Sequence, residues 1–210
     1  IEPNAMQVEA LSALDEVVQK GGKRALIISA TGTGKTILAA LAARQLQARR
    51  ILFVVHREQI LRSAADSFKR VLGLEDDQIG FLVGNQRETN TMVVFSTIQS
   101  LSKMETLAEI SPVHFDLVII DEVHRSGAVS YQRVLDYFRP RFTLGLTATP
   151  ERSDGFNIYK LFNYNVPYEI RLEGALENHM LVPFDYYGVT DYQNARGSIG
   201  DSSKLADLLS

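Results

Sequence analysis

A glycine-rich loop between an apolar run and an apolar helix constrains this sequence more than any other feature. The loop is SATGTGKT (residues 29–36), preceded by the run ALIISA and followed by TILAALAARQLQARR. Glycines at 32 and 34 let successive backbone N–H groups turn inward, and the N-terminus of the following helix adds its positive dipole. The stretch therefore predicts a phosphate-binding loop at the carboxyl end of a buried strand.

The rest of the chain alternates between helix-like and strand-like patterns. Helices are predicted at 5–20, 36–50, 57–72, 97–109 and 130–138. Short apolar runs typical of strands buried on both faces lie at 25–30, 51–55, 92–96, 115–120 and 143–147. The alternation predicts an α/β fold, a three-layer P-loop domain with a mainly parallel central sheet and helices on both faces.

A change of composition near residue 173 predicts a domain boundary. Residues 1–172 carry the alternating pattern, and the segment YEIRLEGALENHMLVPFDYYGVTD adds two strand-like pieces around a short helix. The sequence then turns polar and rich in Gly and Ser. We expect 1–172 to form the nucleotide-binding domain and 173–210 to be a linker and the start of another domain. The absence of an initial Met suggests a piece of a longer protein.

Composition limits the partners and the compartment. The formal net charge is -3 and the isoelectric point is near 5.8, so any nucleic-acid site must be a local basic face. With no cysteine, neither disulfides nor thiolate metal sites are expected, and a reducing, cytoplasmic location is the default. No apolar run approaches the roughly 18 residues of a membrane span, so no membrane partner is expected.

Two acidic residues at the end of VIIDEVH complete a candidate site for nucleotide hydrolysis. Asp121 ends the run and Glu122 follows it. The simpler alternative is a charged pair that only opens a loop. Together with the loop, Asp121 is expected to hold Mg²⁺ through water and Glu122 to orient the attacking water. The number of strand–helix units between loop and carboxylates also predicts that their two strands lie side by side. The expected ligands are ATP and Mg²⁺, and Lys35 is expected to act in catalysis by reaching the β- and γ-phosphates. The expected loop contacts are Thr31, Gly32, Thr33, Gly34, Lys35 and Thr36, the last also a metal ligand.

DEVH at 121–124 and TATP at 147–150 resemble the first RecA-like domain of superfamily 2 helicases and translocases of the DEAH/DExH kind. The resemblance covers about residues 1–172 and includes a glutamine before the loop (Gln7), VVHRE at 54–58 and STIQSL at 96–101. The longer strings HREQIL and LGLTATPERSDG are similar to bacterial helicases that carry a phospholipase-D-like nuclease domain before the motor and an uncharacterised domain after it. Restriction-enzyme motor subunits are the next most similar group.

The resemblance implies roles for residues whose own pattern leaves alternatives open. Gln7 would read the adenine edge, although alone it is a polar residue on a helix. Thr147 and Thr149 would link the phosphates to the nucleic-acid surface, and His124 would contact the neighbouring domain. The resemblance also implies nucleic-acid contacts. Without it, the same residues would be interpreted as solvated strand ends or helix N-caps. They are His56, Arg57, Ser96, Thr97 and Gln99.

The expected function is a nucleic-acid-dependent ATPase that couples hydrolysis to unwinding of DNA or RNA, with DNA favoured. Such motors place ATP between two RecA-like domains, and the second supplies an arginine finger. The residues after 173 are too few for that domain, so the chain alone is expected to be nearly inactive. It is also expected to be monomeric. Two alternatives stay open: a double-strand DNA translocase without strand separation, and a nucleotide-gated interaction module that is not a motor.

Overall fold

The computed structural model describes residues 1–122, 128–148 and 157–170. These residues contain a seven-stranded sheet in which every strand pair is parallel, with the order β3-β4-β2-β5-β6-β1-β7. The strands are β1 (Arg24–Ser29), β2 (Ile51–Val55), β3 (Ile79–Leu82), β4 (Val93–Thr97), β5 (Leu117–Asp121), β6 (Phe142–Thr147) and β7 (Tyr168–Ile170). Because all strands run the same way, the loops that follow them meet at one edge of the sheet.

Helices cover both faces of this sheet, and a short 3₁₀ turn at Asp76–Gln78 precedes β3. The helices are α1 (Ala5–Gln19), α2 (Lys35–Gln45), α3 (Glu58–Leu72), α4 (Ile98–Leu101), α5 (Met104–Ala108), α6 (Ala128–Tyr137) and α7 (Ile158–Leu161). The first three pack on one face and the other four on the opposite face. This confirms the predicted three-layer α/β fold.

Strand β1 shows why its sequence is apolar throughout. Ala25 and Ile27 belong to the core beneath α1, α2 and α3, whereas Leu26 and Ile28 belong to the opposite core. Side chains of a strand alternate between faces, so a strand covered on both sides needs apolar residues at successive positions. Burying one such aliphatic side chain contributes roughly 1.5–3 kcal/mol, and β1 is thereby held firmly behind the glycine-rich loop.

Helix α2 is buried nearly all round at its centre, where it follows the loop. Leu38 to Ala43 are all buried, and four of these six residues are alanines. Small side chains let a helix lie close to its neighbours and to the sheet, and alanine has the highest helix propensity. The sequence of α2 therefore fixes the helix start, and with it the loop, against the core.

Several predicted elements differ from the structure. The most important correction concerns β1 and β5, which were expected side by side but are separated by β6. Counting strand–helix units cannot reveal that a later strand inserts between two earlier ones. Strand β3 was missed, the helix predicted over 97–109 is the two short helices α4 and α5, and the helix predicted to reach Arg50 ends at Gln45.

The boundary near residue 173 and the whole of 173–210 lie outside the described residues, so that division stays a prediction. Within the described parts of the chain, no helix combines the length and the hydrophobicity that crossing a membrane requires.

Candidate nucleotide site

The glycine-rich loop leaves β1 and starts α2. Gly32 and Gly34 have φ values of 88° and 83°, a left-handed conformation that glycine adopts without a Cβ clash. Gly34 is the N-cap of α2 and forms no side-chain cap hydrogen bond. The first N–H groups of a helix have no partner within it and lie at the positive end of its dipole. The loop therefore offers backbone donors to an anion, as its sequence predicts.

A buried chain of hydroxyl groups braces this loop. Ser29 Oγ lies 2.5 Å from Thr33 Oγ1, which donates to the Ala30 carbonyl at 2.7 Å. Because the single hydroxyl hydrogen of Thr33 goes to that carbonyl, Ser29 must be the donor in the first bond. The usual phosphate-loop pattern begins with a glycine, and this chain has Ser29 at that position. The structure gives its side chain a bracing contact that glycine could not make.

Lys35 extends back over the loop in the first turn of α2. Its Nζ donates to the carbonyls of Ser29 at 3.2 Å and Ala30 at 3.1 Å. Burial lowers the pKa of Lys35, while the charges of Asp121 and Glu122 act in the opposite direction. The ammonium group is thus partly desolvated and lies within the field of both carboxylates.

Asp121 ends β5 and is 5% exposed. Burial raises the pKa of Asp121 to about 6, and the charge of Glu122 adds to that rise. Two effects oppose it: the charge of Lys35, and the hydrogen bond that the Glu122 backbone N–H donates to Asp121 Oδ1 at 2.9 Å. Glu122 is half-buried with φ of 56°, a left-handed conformation that is uncommon for a residue with a side chain and that often marks functional sites. The structure brings Lys35, Asp121 and Glu122 together although β6 separates the two strands.

Thr36 and Thr31 complete the loop. Thr36 is half-buried in the first turn of α2, and Thr31 and Gly32 are exposed. The described residues contain no group of three or more His, Asp or Glu side chains placed to hold a metal ion. Mg²⁺ sites that work with phosphates commonly use only one or two protein carboxylates and keep several waters. One hydroxyl and one carboxylate, from Thr36 and Asp121, are a donor set of that kind.

Gln7 lies against the loop from the side of α1. It is 4% exposed, and its Nε2 donates to the Gly34 carbonyl at 3.3 Å. It also forms a capping box with Asn4: the Gln7 N–H donates to Asn4 Oδ1 at 2.9 Å, and the Asn4 N–H donates to Gln7 Oε1 at 3.0 Å. Sequence reasoning placed Gln7 here only through the family resemblance and missed Asn4, although an N-cap asparagine three residues before a glutamine is a recognisable capping signal.

A second polar cluster lies on the same edge of the sheet, after β2 and β4. Gln99 Nε2 donates to His56 Nδ1 across a distance of 2.9 Å. Gln99 is exposed, His56 is half-buried, and the neighbouring Arg57 is exposed at the N-cap of α3. Three of the five residues predicted to contact nucleic acid are therefore together and accessible.

The other two are buried. Ser96 donates to the Leu82 carbonyl at 2.7 Å and so joins β4 to β3. Thr97 is the N-cap of α4, where its hydroxyl accepts from the Ser100 N–H at 3.2 Å. The side chain of Thr97 therefore acts as a helix N-cap, which is the alternative role considered for it. Their contact with nucleic acid stays a prediction.

The residues predicted to couple the nucleotide site to the nucleic-acid surface or to the neighbouring domain are only partly described. Thr147 is fully buried at the end of β6, the strand between β5 and β1. It therefore lies between the carboxylates and the glycine-rich loop. His124 and Thr149 lie outside the described residues.

Fold and site together define a class: a P-loop nucleotide-binding domain with the RecA-like arrangement of helicases. Residues 1–152 match the family described as type III restriction enzyme, res subunit. The match covers well over half of the chain, and the chain belongs to this family. The predicted similarity to superfamily 2 helicases and restriction motors is confirmed, whereas the narrower resemblance to helicases with a phospholipase-D-like nuclease domain stays a prediction.

Individual relatives agree with this assignment. The chain is 27% identical to the type I restriction enzyme EcoAI endonuclease subunit of Escherichia coli, over 99% of this chain and 27% of that protein. It is 32% identical to the putative mitochondrial ATP-dependent helicase irc3 of Schizosaccharomyces pombe, over 71% of this chain and 26% of that one. The DNA 3'-5' translocase XPB2 of Sulfurisphaera tokodaii is 28% identical over 100% of this chain and 46% of its own length. The chain thus spans between about a quarter and a half of these relatives.

Solved structures share the fold. A nuclease-deletion mutant of the type ISP restriction-modification enzyme LlaGI, in complex with a DNA substrate mimic, superposes with a TM-score of 0.67 at 19% identity, over 86% of this chain and 21% of that one. The UvsW helicase of bacteriophage T4 gives 0.61 at 19% identity, over 81% of this chain and 60% of that one.

Proposed function

We propose that this chain is the ATP-binding domain of an ATP-driven nucleic-acid motor. The observation that carries the proposal is that Lys35, in the first turn after the glycine-rich loop, lies within the electrostatic field of Asp121 and Glu122 at the end of β5. A phosphate cradle alone binds nucleotide, whereas a cradle joined to a buried carboxylate and an adjacent glutamate has the groups that hydrolysis needs. The membership in a family of restriction-enzyme motor subunits supports the same conclusion.

ATP would lie with its phosphates at the N-terminus of α2. The N–H groups of residues 31–36 would bind the phosphates, and Lys35 would exchange the carbonyls of Ser29 and Ala30 for phosphate oxygens. Thr36 and Asp121 would hold Mg²⁺. When bound, the cation neutralises phosphate charge and favours attack at the terminal phosphorus.

Glu122 is the proposed general base. Its backbone conformation turns the chain sharply at the end of β5, so the carboxylate leaves the sheet beside the buried Asp121. From there it would orient a water molecule and accept its proton as the terminal phosphate departs. Its half-buried position limits competing water.

The cluster of His56, Arg57 and Gln99 is the proposed nucleic-acid contact. It lies on the same edge of the sheet as the nucleotide site: β2 is the neighbour of β5, which carries Asp121, and β5 and β6 separate β2 from β1 and the glycine-rich loop. At a strand spacing of about 4.8 Å, three strand steps separate β2 from β1 by roughly 14 Å. The exposed amide and guanidinium groups and the half-buried imidazole suit phosphate contacts, which carry no information about base sequence. DNA is the proposed partner, because the similar fold of LlaGI has been solved in complex with a DNA substrate mimic.

Turnover is proposed to need a second RecA-like domain that closes on the ATP and supplies an arginine finger, worth roughly 10³–10⁵ in rate in related hydrolases. The greater length of the relatives supports this. The chain alone should bind Mg²⁺–ATP but barely hydrolyse it, and we propose that it is monomeric and works in the cytoplasm.

The first test is calorimetric titration of the chain with ATP and Mg²⁺, beside Lys35→Ala. Binding that Lys35→Ala weakens on the order of 100-fold, as expected for loss of a charge-assisted contact to phosphate, supports the site. Equal binding by both proteins contradicts it. In the protein with both RecA-like domains, Glu122→Gln should retain ATP and lose turnover. Unchanged behaviour of that variant would instead favour a nucleotide-gated interaction module.

A further inference from the structure

The carboxamide of Gln7 is held from both ends. Its Oε1 accepts the Asn4 backbone N–H at 3.0 Å, and its Nε2 donates to the Gly34 carbonyl at 3.3 Å. Gln7 is buried, whereas Asn4 is exposed, so competition from water is limited on the Gln7 side of both bonds. One contact comes from the start of α1 and the other from the residue just before Lys35.

These two partners determine which end of the amide is oxygen and which is nitrogen. A backbone N–H can only donate and a backbone carbonyl can only accept. Rotating the carboxamide by 180° would set N–H against the Asn4 N–H and oxygen against the Gly34 oxygen. Two repulsive approaches would then replace the two hydrogen bonds, so the present orientation is strongly preferred.

The fixed amide keeps one unused hydrogen-bonding group at each end. Oε1 has a second lone pair, and Nε2 has a second N–H. That pair matches a purine whose 6-position donates and whose N7 accepts, as in adenine. A 6-oxopurine presents an acceptor at position 6, which would meet the Gln7 oxygen. A freely rotating glutamine could turn its N–H₂ to that oxygen, whereas one held by Asn4 cannot.

We propose that Asn4 is a specificity-determining positioning residue: its backbone N–H fixes Gln7 in the orientation that accepts 6-aminopurine nucleotides and rejects 6-oxopurine nucleotides. The inference rests on the proposed function, because it needs a nucleotide on the glycine-rich loop. The simpler alternative is that the capping box only stabilises α1. That alternative predicts an effect on stability but none on base preference.

Substitutions at Asn4 separate the two alternatives. Asn4→Ala removes the Oδ1 cap of α1 and keeps the backbone N–H. Asn4→Pro removes both, and the φ of -76° at Asn4 suits proline. Asn4→Asp keeps both. The readout is the ratio of ATP to ITP needed to displace a fluorescent ADP from the chain, with thermal unfolding of each variant measured in parallel.

The wild type and Asn4→Asp should prefer ATP over ITP by about tenfold, the value of one hydrogen bond replaced by a repulsive contact. Asn4→Ala should lose stability and keep most of the preference. Asn4→Pro should lose a similar amount of stability and fall to nearly equal use of the two nucleotides. A preference that Asn4→Pro retains, or a wild type without preference, would overturn the inference.

Two further results keep the test decisive. If Asn4→Pro does not fold, amide hydrogen exchange replaces it: the Asn4 N–H should be more protected in the chain saturated with ATP than in the chain saturated with ITP, because a 6-oxopurine favours the turned amide. Equal protection with the two nucleotides, which a purely stabilising capping box predicts, overturns the inference. If neither nucleotide displaces the ADP analogue and Lys35→Ala changes nothing, the proposed function itself fails. ATP binding that depends on Lys35 but shows no dependence on Asn4 removes only this inference.

Discussion

Replacing Asp121 with asparagine should stabilise the folded chain while removing an essential group. Asp121 is 5% exposed at the end of β5, and burial raises its pKa to about 6 from an ordinary value of 3.8. The value already includes the attraction of Lys35, which opposes the rise. The ionised carboxylate is therefore less favourable in the folded chain than in the unfolded chain.

The size of the effect follows from linkage. The difference between about 6 and 3.8 corresponds to at most about 3 kcal/mol at a pH above both values. The sign is fixed because the folded pKa is the higher one. The contribution of Asp121 to the stability of the wild type is greatest below pH 4, falls as the pH rises toward 6, and is constant above that range.

Asp121→Asn lacks this loss, because its amide stays neutral and its Oδ1 can still accept the Glu122 N–H. We expect similar stabilities of variant and wild type near pH 4, and a variant more stable by up to about 3 kcal/mol at pH 8. For a chain of this length that is roughly 6–12 °C in Tm.

Urea unfolding followed by circular dichroism from pH 4 to pH 8, without Mg²⁺ or nucleotide, measures the difference. Asp66→Asn, an exposed position on α3, controls for the loss of one carboxylate. Stability curves of Asp121→Asn and wild type that run parallel across this range would refute the reasoning, as would a variant whose stability relative to wild type falls with rising pH.

Three further predictions concern packing, the loop brace and the nucleic-acid contact. A Cβ at Gly145 would lie 2.4 Å from the buried Phe162 ring, so Gly145→Ala should cost about 1–3 kcal/mol in urea unfolding; adding Phe162→Leu should recover part, and an unchanged midpoint contradicts the packing. Thr33→Val leaves the Ser29 hydroxyl buried without its acceptor and should cost about 1–3 kcal/mol, which Ser29→Ala partly recovers; strictly additive losses argue against the hydroxyl chain. Gln99→Ala should weaken single-stranded DNA binding about 3- to 10-fold with an unchanged salt slope, since glutamine carries no charge; fluorescence anisotropy at several salt concentrations checks it, and unchanged affinity throughout excludes that contact.

The strands that carry the site could be predicted because burial on both faces leaves a local signature. The apolar runs ending near Ser29 and Asp121 are of this kind. Strand β3 has no such signature, since it is a four-residue edge strand with a glycine in it. Its Gly80 is required because a Cβ there would lie 2.2 Å from the Glu88 carbonyl oxygen, a contact that no local pattern reveals.

The order of strands could not be predicted for a related reason. Strand β6 lies between β1 and β5 because of how the strands pack in the folded sheet, where neighbouring strands are distant in sequence. The predicted site nevertheless forms. All strands are parallel, so their carboxyl ends meet at one edge whatever their order, and the Lys35 side chain is long enough to interact with Asp121 past β6.

Side-chain supports of the site were the least predictable part. The hydroxyl of Ser29 matters because it reaches Thr33, and the N–H of Asn4 matters because it reaches Gln7. The contact between Ser29 and Thr33 depends on the curled path of the loop, and the residue types alone do not predict it. The contact between Asn4 and Gln7 could have been predicted, because an asparagine and a glutamine three residues apart at a helix start form a capping box.

ATP hydrolysis by this domain joined to its second RecA-like domain tests the central claim most directly. The rate should be measured with no nucleic acid, with single-stranded DNA, with duplex DNA and with RNA, beside Glu122→Gln. A motor predicts a low basal rate that DNA raises and that Glu122→Gln abolishes; strand-displacement and triplex-displacement assays then distinguish a helicase from a double-strand translocase. A rate that no nucleic acid changes would contradict the proposal that this site drives movement on a nucleic-acid track.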